Sequence, residues 1–501
     1  MMQQNLATWG WQRPTLIVID YAASRARQLH DWFAELAENG GDPQKPLRVL
    51  LLERHADPAG GWWQEAFGRG DGDAQAVRHL LDPADRPVAL PSLADPEERR
   101  ALLTAVLAKL GSTERPPARG TDAHFDRLLA DLSWGGEPLF LFMAGLTAAR
   151  LGFGQVLALS RVDLAYAIAD RESERIETFA KKHKLNPRFL SHMAAYVTLC
   201  QGLERSAVEE ASEEEKTALK RPSAGDPPDI VEALFAVLSS EGEVVQPIQP
   251  DMIGEAVLLR VLQAHSQEQQ DACILRAFGH AGGRVAATVM RTAQDYAFEG
   301  DPAPLAWLDG LAREGTVNFS MLVEIANQLP LNTLVLRERA AAIYDTIVAQ
   351  ARHYVAAAPD TEAPRSLLAS SLNNLANCLS DLGQREEALA AAREAVALYR
   401  QLAAARPDAF VPDLAMSLNN LANCLSDLGQ REEALAAARE AVELLSPFFL
   451  ALPPAFAQGM LTMVRDYLKY TEQLQREPNA ALLIPILEKL NALQSPTGGE
   501  S

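Results

Sequence analysis

The chain has 501 residues, of which 48% are hydrophobic, so it is long enough for two to four domains with sizeable cores. Its 46 basic and 66 acidic residues give a net charge of −20, which argues against broad binding to nucleic-acid phosphates and favours basic or neutral partners. The four cysteines have no C-x-x-C spacing, which indicates neither a zinc site nor a disulfide framework. The first residues lack the pattern of a secretory signal, and no apolar run is long enough to span a membrane, so we expect a cytoplasmic protein.

Two short apolar runs near the start of the chain predict strands of an α/β unit. Leu16–Ile19 is followed by Asp20, and Leu47–Leu52 is followed by Glu53 and Arg54, with a helical stretch between the two runs. An apolar run closed by a polar residue is typical of a buried parallel strand. Open α/β sheets bind ligands at the carboxyl ends of their strands, which is where Asp20 lies.

These residues and the later Gly136-Glu137-Pro138-Leu139 together resemble the signal-transduction ATPases called STAND, which are relatives of the AAA+ class. The resemblance implies that Asp20 is the Walker B residue and orders magnesium, that Arg54 senses the γ-phosphate, and that Pro138 contacts the adenine. It also implies ATP and Mg²⁺ as cofactors, with Asp20 holding the metal only when nucleotide is bound.

The phosphate-binding loop of those ATPases is missing from this sequence. Neither G-x-x-x-x-G-K-[ST] nor G-x-G-x-x-G occurs, and only nineteen residues precede Asp20. We therefore expect a truncated P-loop-type sheet, and for this chain alone neither a bound cofactor nor catalytic activity. The expected origin is the C-terminal part of a longer protein, with a mis-assigned start or a degenerate remnant as the alternatives.

The middle of the chain predicts a winged-helix-like unit. Helical patterns at Arg188–Leu203 and Ile230–Leu238 precede a strand-like Val244-Val245. Between the helices, Ser206–Pro228 is acidic and then rich in proline and serine, which predicts an exposed loop. The second helix carries the acidic Glu232 and no base, which argues against binding to DNA.

An internal duplication marks the C-terminal third. Residues 371–396 and 417–442 both read SLNNLANCLSDLGQREEALAAAREAV, at an offset of 417 − 371 = 46. Each copy predicts two helices separated by a glycine, and since neither helix can bury its apolar face alone, we expect stacked pairs. The pattern resembles tetratricopeptide repeats, and its long period and Asn-Asn-Leu-Ala string resemble the repeats of kinesin light chains. The matching residues are Leu375, Ala376, Gly383, Ala388 and Ala395, and in the second copy Leu421, Ala422, Gly429, Ala434 and Ala441.

Polar side chains recur on the first helix of both copies. In the resembling family the first helices line a concave groove, and side-chain amides offer both the donor and the acceptor that an extended peptide backbone needs. The alternative is that these side chains are merely solvated. The candidate partner-binding residues are Asn373, Asn377, Ser380, Asp381, Asn419, Asn423, Ser426 and Asp427.

We therefore predict a mainly α protein with an N-terminal α/β part and a C-terminal α-solenoid. The leading hypothesis is a signalling scaffold that binds a protein or peptide through its repeats and carries a remnant nucleotide switch. The alternatives are an ATP-dependent STAND NTPase whose P-loop lies outside this chain, and a winged-helix transcription regulator. The predicted domains are a partial α/β core at 1–125, a helical lid at 126–185, a winged-helix-like unit at 186–262, a helical linker with a degenerate repeat at 263–360, the repeats at 361–446 and a helical cap at 447–501.

Overall fold

A computed structural model provides the fold, and its described residues are mainly helical. The chain divides into two compact units, one made of residues 1–90 and 351–501 and the other of residues 91–350. The described residues are 15–20, 29–30, 32–33, 36, 47–52, 63, 66–67, 93–131, 137–156, 159–221, 225–238, 240–297, 300–313, 315–330, 333–359 and 361–494.

The two predicted strands pair in parallel near the start of the chain. Strand β1 (Thr15–Asp20) runs beside β2 (Leu47–Leu52) along its whole length. Apolar residues on one face of β2 pack against a small aromatic core, whereas Leu50 on the other face is 47% exposed. The prediction of a buried strand is therefore wrong for that second face, as far as the described residues extend. The aromatic core consists of Leu29, Trp32, Phe33, Trp63, Ala66 and Phe67.

The second unit begins with five helices, three of which start at a residue whose side chain caps the helix. Asp95 and Asp122 accept hydrogen bonds from backbone amides of the first turns that follow them, and Ser160 forms a capping box with Asp163. The predicted domain boundary between residues 125 and 126 falls inside the second of these helices. The helices are α1 (Pro96–Lys109), α2 (Ala123–Ala130), α3 (Pro138–Leu151), α4 (Phe153–Val156) and α5 (Arg161–Lys182).

The segment 186–262 contains four helices and a small antiparallel sheet with strand order β3-β5-β4. The order of elements is compatible with a winged helix, which stays a prediction. In chain order the elements are α6 (Pro187–Leu199), β3 (Leu203–Glu204), α7 (Arg205–Ala218), α8 (Pro227–Val237), β4 (Ser240–Glu241), β5 (Val244–Val245) and α9 (Asp251–Leu262).

The predicted loop at Ser206–Pro228 is largely a helix, α7. Its Val208, Ala211 and Glu215 are buried at helical spacing, so one face of this acidic segment packs into the core. The sequence prediction failed because the burial of Glu215 depends on partners far away in the sequence.

Five further helices complete the second unit and its continuous apolar core. The core contains Trp307, whose indole N–H donates a 2.7 Å hydrogen bond to Gln270. The helices are α10 (Gln267–Ala281), α11 (Gly283–Tyr296), α12 (Ala303–Ala312), α13 (Phe319–Ala326) and α14 (Arg337–Ala357), the last of which continues into the other unit.

The C-terminal region is built from antiparallel helix pairs with a constant period. The second helices of the first two pairs begin 431 − 385 = 46 residues apart, and the first helices of the last two pairs begin 453 − 407 = 46 residues apart. Each helix packs against the next one along the chain, as a solenoid requires. The helices are α15 (Glu362–Asp381), α16 (Arg385–Ala405), α17 (Pro407–Asp427), α18 (Arg431–Ala451), α19 (Pro453–Gln473) and α20 (Ala480–Gln494).

The solenoid continues past residue 446, where the sequence predicts a cap. The predicted boundary falls inside α18, and α19 then repeats the length of α17 and begins 46 residues after it. Gly383 and Gly429 end the earlier first helices at φ values of 77° and 75°, and Gln475 takes the same left-handed conformation at 53°. Helices α19 and α20 therefore form a third pair, in which α19 keeps the length and period of the earlier first helices. Helix α20 departs from them, because it has 15 residues in place of 21 and begins 480 − 431 = 49 residues after α18.

Candidate functional site

The eight predicted partner-binding residues lie on the first helices α15 and α17. Six of them make hydrogen bonds to the first helix of the neighbouring repeat, at sequence separations of 44 to 47 residues. These six are Asn373, Ser380, Asn419, Asn423, Ser426 and Asp427. The prediction that these residues meet an extended ligand, and the alternative that they are merely solvated, both overlooked this contact between repeats.

Between the first and second repeats, polar residues of α15 meet those of α17. Asn373 Oδ1 accepts hydrogen bonds from Ser417 Oγ and from Asn420 Nδ2, each at 3.1 Å. At the C-terminal ends of the two helices, Ser380 donates to Asp427 at 3.0 Å. Because each bond joins two rigid helices, the set fixes the register between the repeats.

Between the second and third repeats, the same surface of α17 meets a different set of side chains. Asn419 is buried and its Nδ2 donates a 3.0 Å hydrogen bond to Asp466, while Tyr470 donates its hydroxyl proton to Asn423 Oδ1. Ser426 also hydrogen-bonds Tyr470. The polar ladder therefore continues into the repeat that the sequence pattern missed.

Three of the eight predicted residues, Asn377, Asp381 and Asp427, are exposed. Asp427 accepts the hydrogen bond from Ser380, whereas Asn377 presents an exposed amide on the helix that carries Asn373.

A cavity of about 400 Å³ lies between α17 and α19, on the surface that carries these amides. Met416 and the asparagines of α17 form one wall, and α19 forms the other. The sequence prediction missed the α19 wall because that repeat has diverged, although adding 46 to the numbers of the α17 residues would have found it. The α19 residues that line the cavity are Gln458, Gly459, Thr462, Met463, Arg465 and Asp466.

The second helices of the repeats carry a different chemistry, a row of exposed arginine–glutamate pairs that join neighbouring repeats. Exposed ion pairs each stabilise a fold by only about 0–1 kcal/mol, so this row adds more to register than to stability. Its charges are already matched within the chain, which leaves the surface of the first helices as the better candidate for a partner. The pairs are Arg352–Glu394, Arg393–Glu433, Arg400–Glu440 and Arg476–Glu432.

A second cluster of chemically capable residues is buried in the other unit. His192 of α6, Glu215 of α7 and Cys273 of α10 bring ligand-type atoms within 4.8 Å of one another. Glu215 is fully buried and accepts hydrogen bonds from His192 Nε2 at 2.7 Å and from Arg276 Nε at 2.5 Å. Arg276 already neutralises the carboxylate. The cluster is therefore better explained as a structural interaction that joins three helices than as a metal site.

The protonation states in this cluster agree with a structural role. Burial alone would raise the pKa of the Glu215 carboxyl, but hydrogen bonds from His192 and Arg276 lower the pKa below its ordinary value, so the group is charged. Burial raises the pKa of the Cys273 thiol well above its ordinary value and that of nearby Cys200 to about 12, so both thiols stay neutral. Neutral thiols are poor nucleophiles and poor metal ligands.

Two of the three residues that the ATPase resemblance singles out lie among the described residues, one in each unit. Asp20 is the last residue of β1, and Pro138 occupies the first turn of α3, a position that suits proline because its missing N–H needs no partner there. Arg54 lies outside the described residues. Binding of ATP and Mg²⁺ stays a prediction, and we derive no step through them.

Comparison with known proteins identifies the C-terminal repeats. A tetratricopeptide repeat family model matches residues 367–446, which cover most of α15, all of α16 and α17, and most of α18. A search of curated proteins gave no match. Across the described ranges, no helix combines the length and the apolar character that crossing a bilayer requires.

Proposed function

We propose that this protein is an interaction scaffold that binds an extended segment of a partner protein along the first helices α15, α17 and α19. The match of residues 367–446 to tetratricopeptide repeats supports a protein-binding role. The cavity of about 400 Å³ between α17 and α19 is the observation that supports this binding site, because its walls offer side-chain amides on two rigid helices.

The chemistry of this surface suits a polypeptide. Amide side chains can both donate to and accept from a peptide backbone, and helices held in register by the polar ladder lose little freedom when a ligand binds. Exposed Asn377 and the 45% exposed Met416 add a polar and an apolar contact along the same row of helices. An extended segment can reach both, since it gains about 3.3 Å per residue.

The two rival functions receive less support. α8, the helix that would enter DNA in a winged-helix regulator, carries Asp229 and Glu232 and has neither lysine nor arginine. Glu232 is itself paired with Arg205, which removes one of the few cations near α8 from a phosphate-binding role. The ATP-switch alternative places its phosphate-binding loop outside this chain, because the 501-residue sequence contains no such motif.

A peptide-display selection on the purified full chain tests this proposal. We expect enriched peptides whose binding is weakened at least about tenfold by Met416→Trp or Asn377→Trp, because a bulky ring on the first helices blocks the ligand. The matched control is Ala390→Trp, which adds the same ring at an exposed position of the second helix α16. No enriched peptide, or a larger loss with the control than with the two test variants, would refute the proposal.

A further inference from the structure

The duplication places one asparagine in two different surroundings. In the first copy, Asn373 Oδ1 receives two donors from the next helix, Ser417 and Asn420. Asn419 is the same residue in the second copy, 46 positions later, within an identical stretch of sequence. Any difference between the two therefore comes from the helix packed against them and not from their own segment.

The helix packed against Asn419 supplies no such donors. The residues 46 positions after Ser417 and Asn420 are Met463, which has no N–H or O–H on its side chain, and Asp466, whose carboxylate accepts hydrogen bonds. Asn419 accordingly turns its Nδ2 to Asp466, and within the described part of the chain its Oδ1 has no hydrogen-bond partner although the residue is only 4% exposed. A buried acceptor without a donor is costly, so a ligand that supplies a donor gains affinity from this group.

The same cavity gives a ligand access to a second acceptor. Asn419 and Asp466 both line the space of about 400 Å³ between α17 and α19, and Asp466 is 7% exposed. Gly459 keeps this wall open, because a Cβ there would extend toward Met416 and come within 3.5 Å of its sulfur. The cavity thus combines room for a long side chain with an amide residue and a carboxylate residue in its lining.

The carboxylate of Asp466 is only loosely occupied by a cation of its own chain. Arg465 Nε lies 3.7 Å from Asp466 Oδ1, too far for a hydrogen bond, and the Arg465 side chain is 72% exposed. An exposed arginine without a hydrogen bond to the carboxylate can be displaced at little cost. The net charge of −20 also attracts a cationic partner toward this surface.

We infer that the cavity between α17 and α19 is a subsite for an arginine side chain of the bound peptide. Its guanidinium would donate to Asn419 Oδ1 and to the Asp466 carboxylate, displacing Arg465. Arginine fits better than lysine because its planar group presents five N–H donors that can serve two acceptors at once. This inference rests on the proposed function, since it names the chemistry that the groove of the scaffold selects.

The test compares arginine with citrulline, its neutral isostere, in the tightest peptide from the display selection, with affinities measured by fluorescence anisotropy on the full chain. We expect the arginine peptide to bind about tenfold more tightly, the difference between charge-assisted and neutral hydrogen bonds. Asp466→Asn should abolish this preference while keeping an acceptor for Asn419, and Arg465→Ala should strengthen binding of the arginine peptide.

The possible outcomes separate this inference from the proposed function. Peptides that bind at the first helices but lack arginine, or that bind equally well with citrulline, would overturn the arginine subsite and leave the scaffold function standing. An unchanged arginine preference in Asp466→Asn would also overturn it. A chain that selects no peptide at all would overturn both.

Discussion

Replacing Glu215 with alanine is expected to lower the free energy of unfolding of the unit 91–350 by about 3 kcal/mol. The substitution leaves the Arg276 guanidinium and the His192 ring without their buried acceptor, and breaking such a pair typically costs about 3–5 kcal/mol. We expect the lower end of this energy range because the Arg276 side chain is 25% exposed, so its guanidinium can be partly hydrated in the variant. Native-state hydrogen exchange of α6, α7 and α10 measures the effect directly.

A neighbouring glutamate provides the matched control for this prediction. Glu214 precedes Glu215 on α7 and pairs with His280 at 3.1 Å, but its side chain is 44% exposed. Glu214→Ala should therefore change stability by less than about 1 kcal/mol. Equal protection of the three helices against hydrogen exchange in the two variants would show that Glu215 does not hold α6, α7 and α10 together.

The same interaction predicts a dependence on pH. The pKa of Glu215 is lower in the folded protein than the ordinary value of 4.5, so the folded state favours the charged form. Its contribution is fully present above the ordinary pKa and is lost as the pH falls through the lower folded-state pKa. Acid unfolding of the wild type should thus lose this contribution below about pH 4.5, and Glu215→Gln should remove that part of the acid dependence.

Deleting residues 384–429 is expected to give a folded protein that has one repeat fewer. The deletion removes 46 residues, one full period, and joins Gly383 to Gln430, which restores the sequence of the duplicated segment at the junction. Because each repeat contacts only its neighbours, the remaining pairs can stack again at the cost of one repeat and one interface. Circular dichroism should show a cooperative thermal transition at a lower temperature.

A deletion of almost the same size tests whether the shortened chain folds because a full 46-residue period was removed. Removing residues 390–433 joins Leu389 to Ala434 and leaves two extra residues inside a helix. These rotate the following apolar face by about 200°, since an α-helix turns once in about 3.6 residues. We expect this variant to lose its cooperative transition. Similar behaviour of the two deletions would contradict a solenoid built on a 46-residue period.

The sequence predicts the repeats well because their apolar spacing is local and appears twice. It fails for the third repeat because α19 keeps the length and period of the earlier first helices but not the residues that reveal them. Gly383 and Gly429 mark the ends of the earlier first helices, whereas Gln475 adopts the left-handed conformation without the glycine that would have predicted it. A prediction from sequence alone therefore placed a cap where the structure has another helix pair.

Sequence reasoning placed the candidate residues on the first helices but did not predict the contacts that they make between repeats. Helical spacing places Asn373 and Asn419 on the first helices, yet their partners lie 44 to 47 residues away and depend on how the repeats stack. The prediction of a loop at α7 failed for the same reason, because Glu215 is buried by His192 and Arg276, which lie 23 and 61 positions away in the sequence. Local patterns predict elements, while the satisfaction of buried polar groups depends on the tertiary fold.

Photo-cross-linking tests most directly whether the partner binds along the first helices of the repeats. A photoreactive phenylalanine analogue is placed at Met416, on the cavity wall, or at Ala390, on the second helix α16. Each full chain is then irradiated with the tightest peptide from the display selection. We expect a cross-link from position 416 and none from position 390. A cross-link from position 390 alone would place the partner on the second helices and refute binding along the first helices.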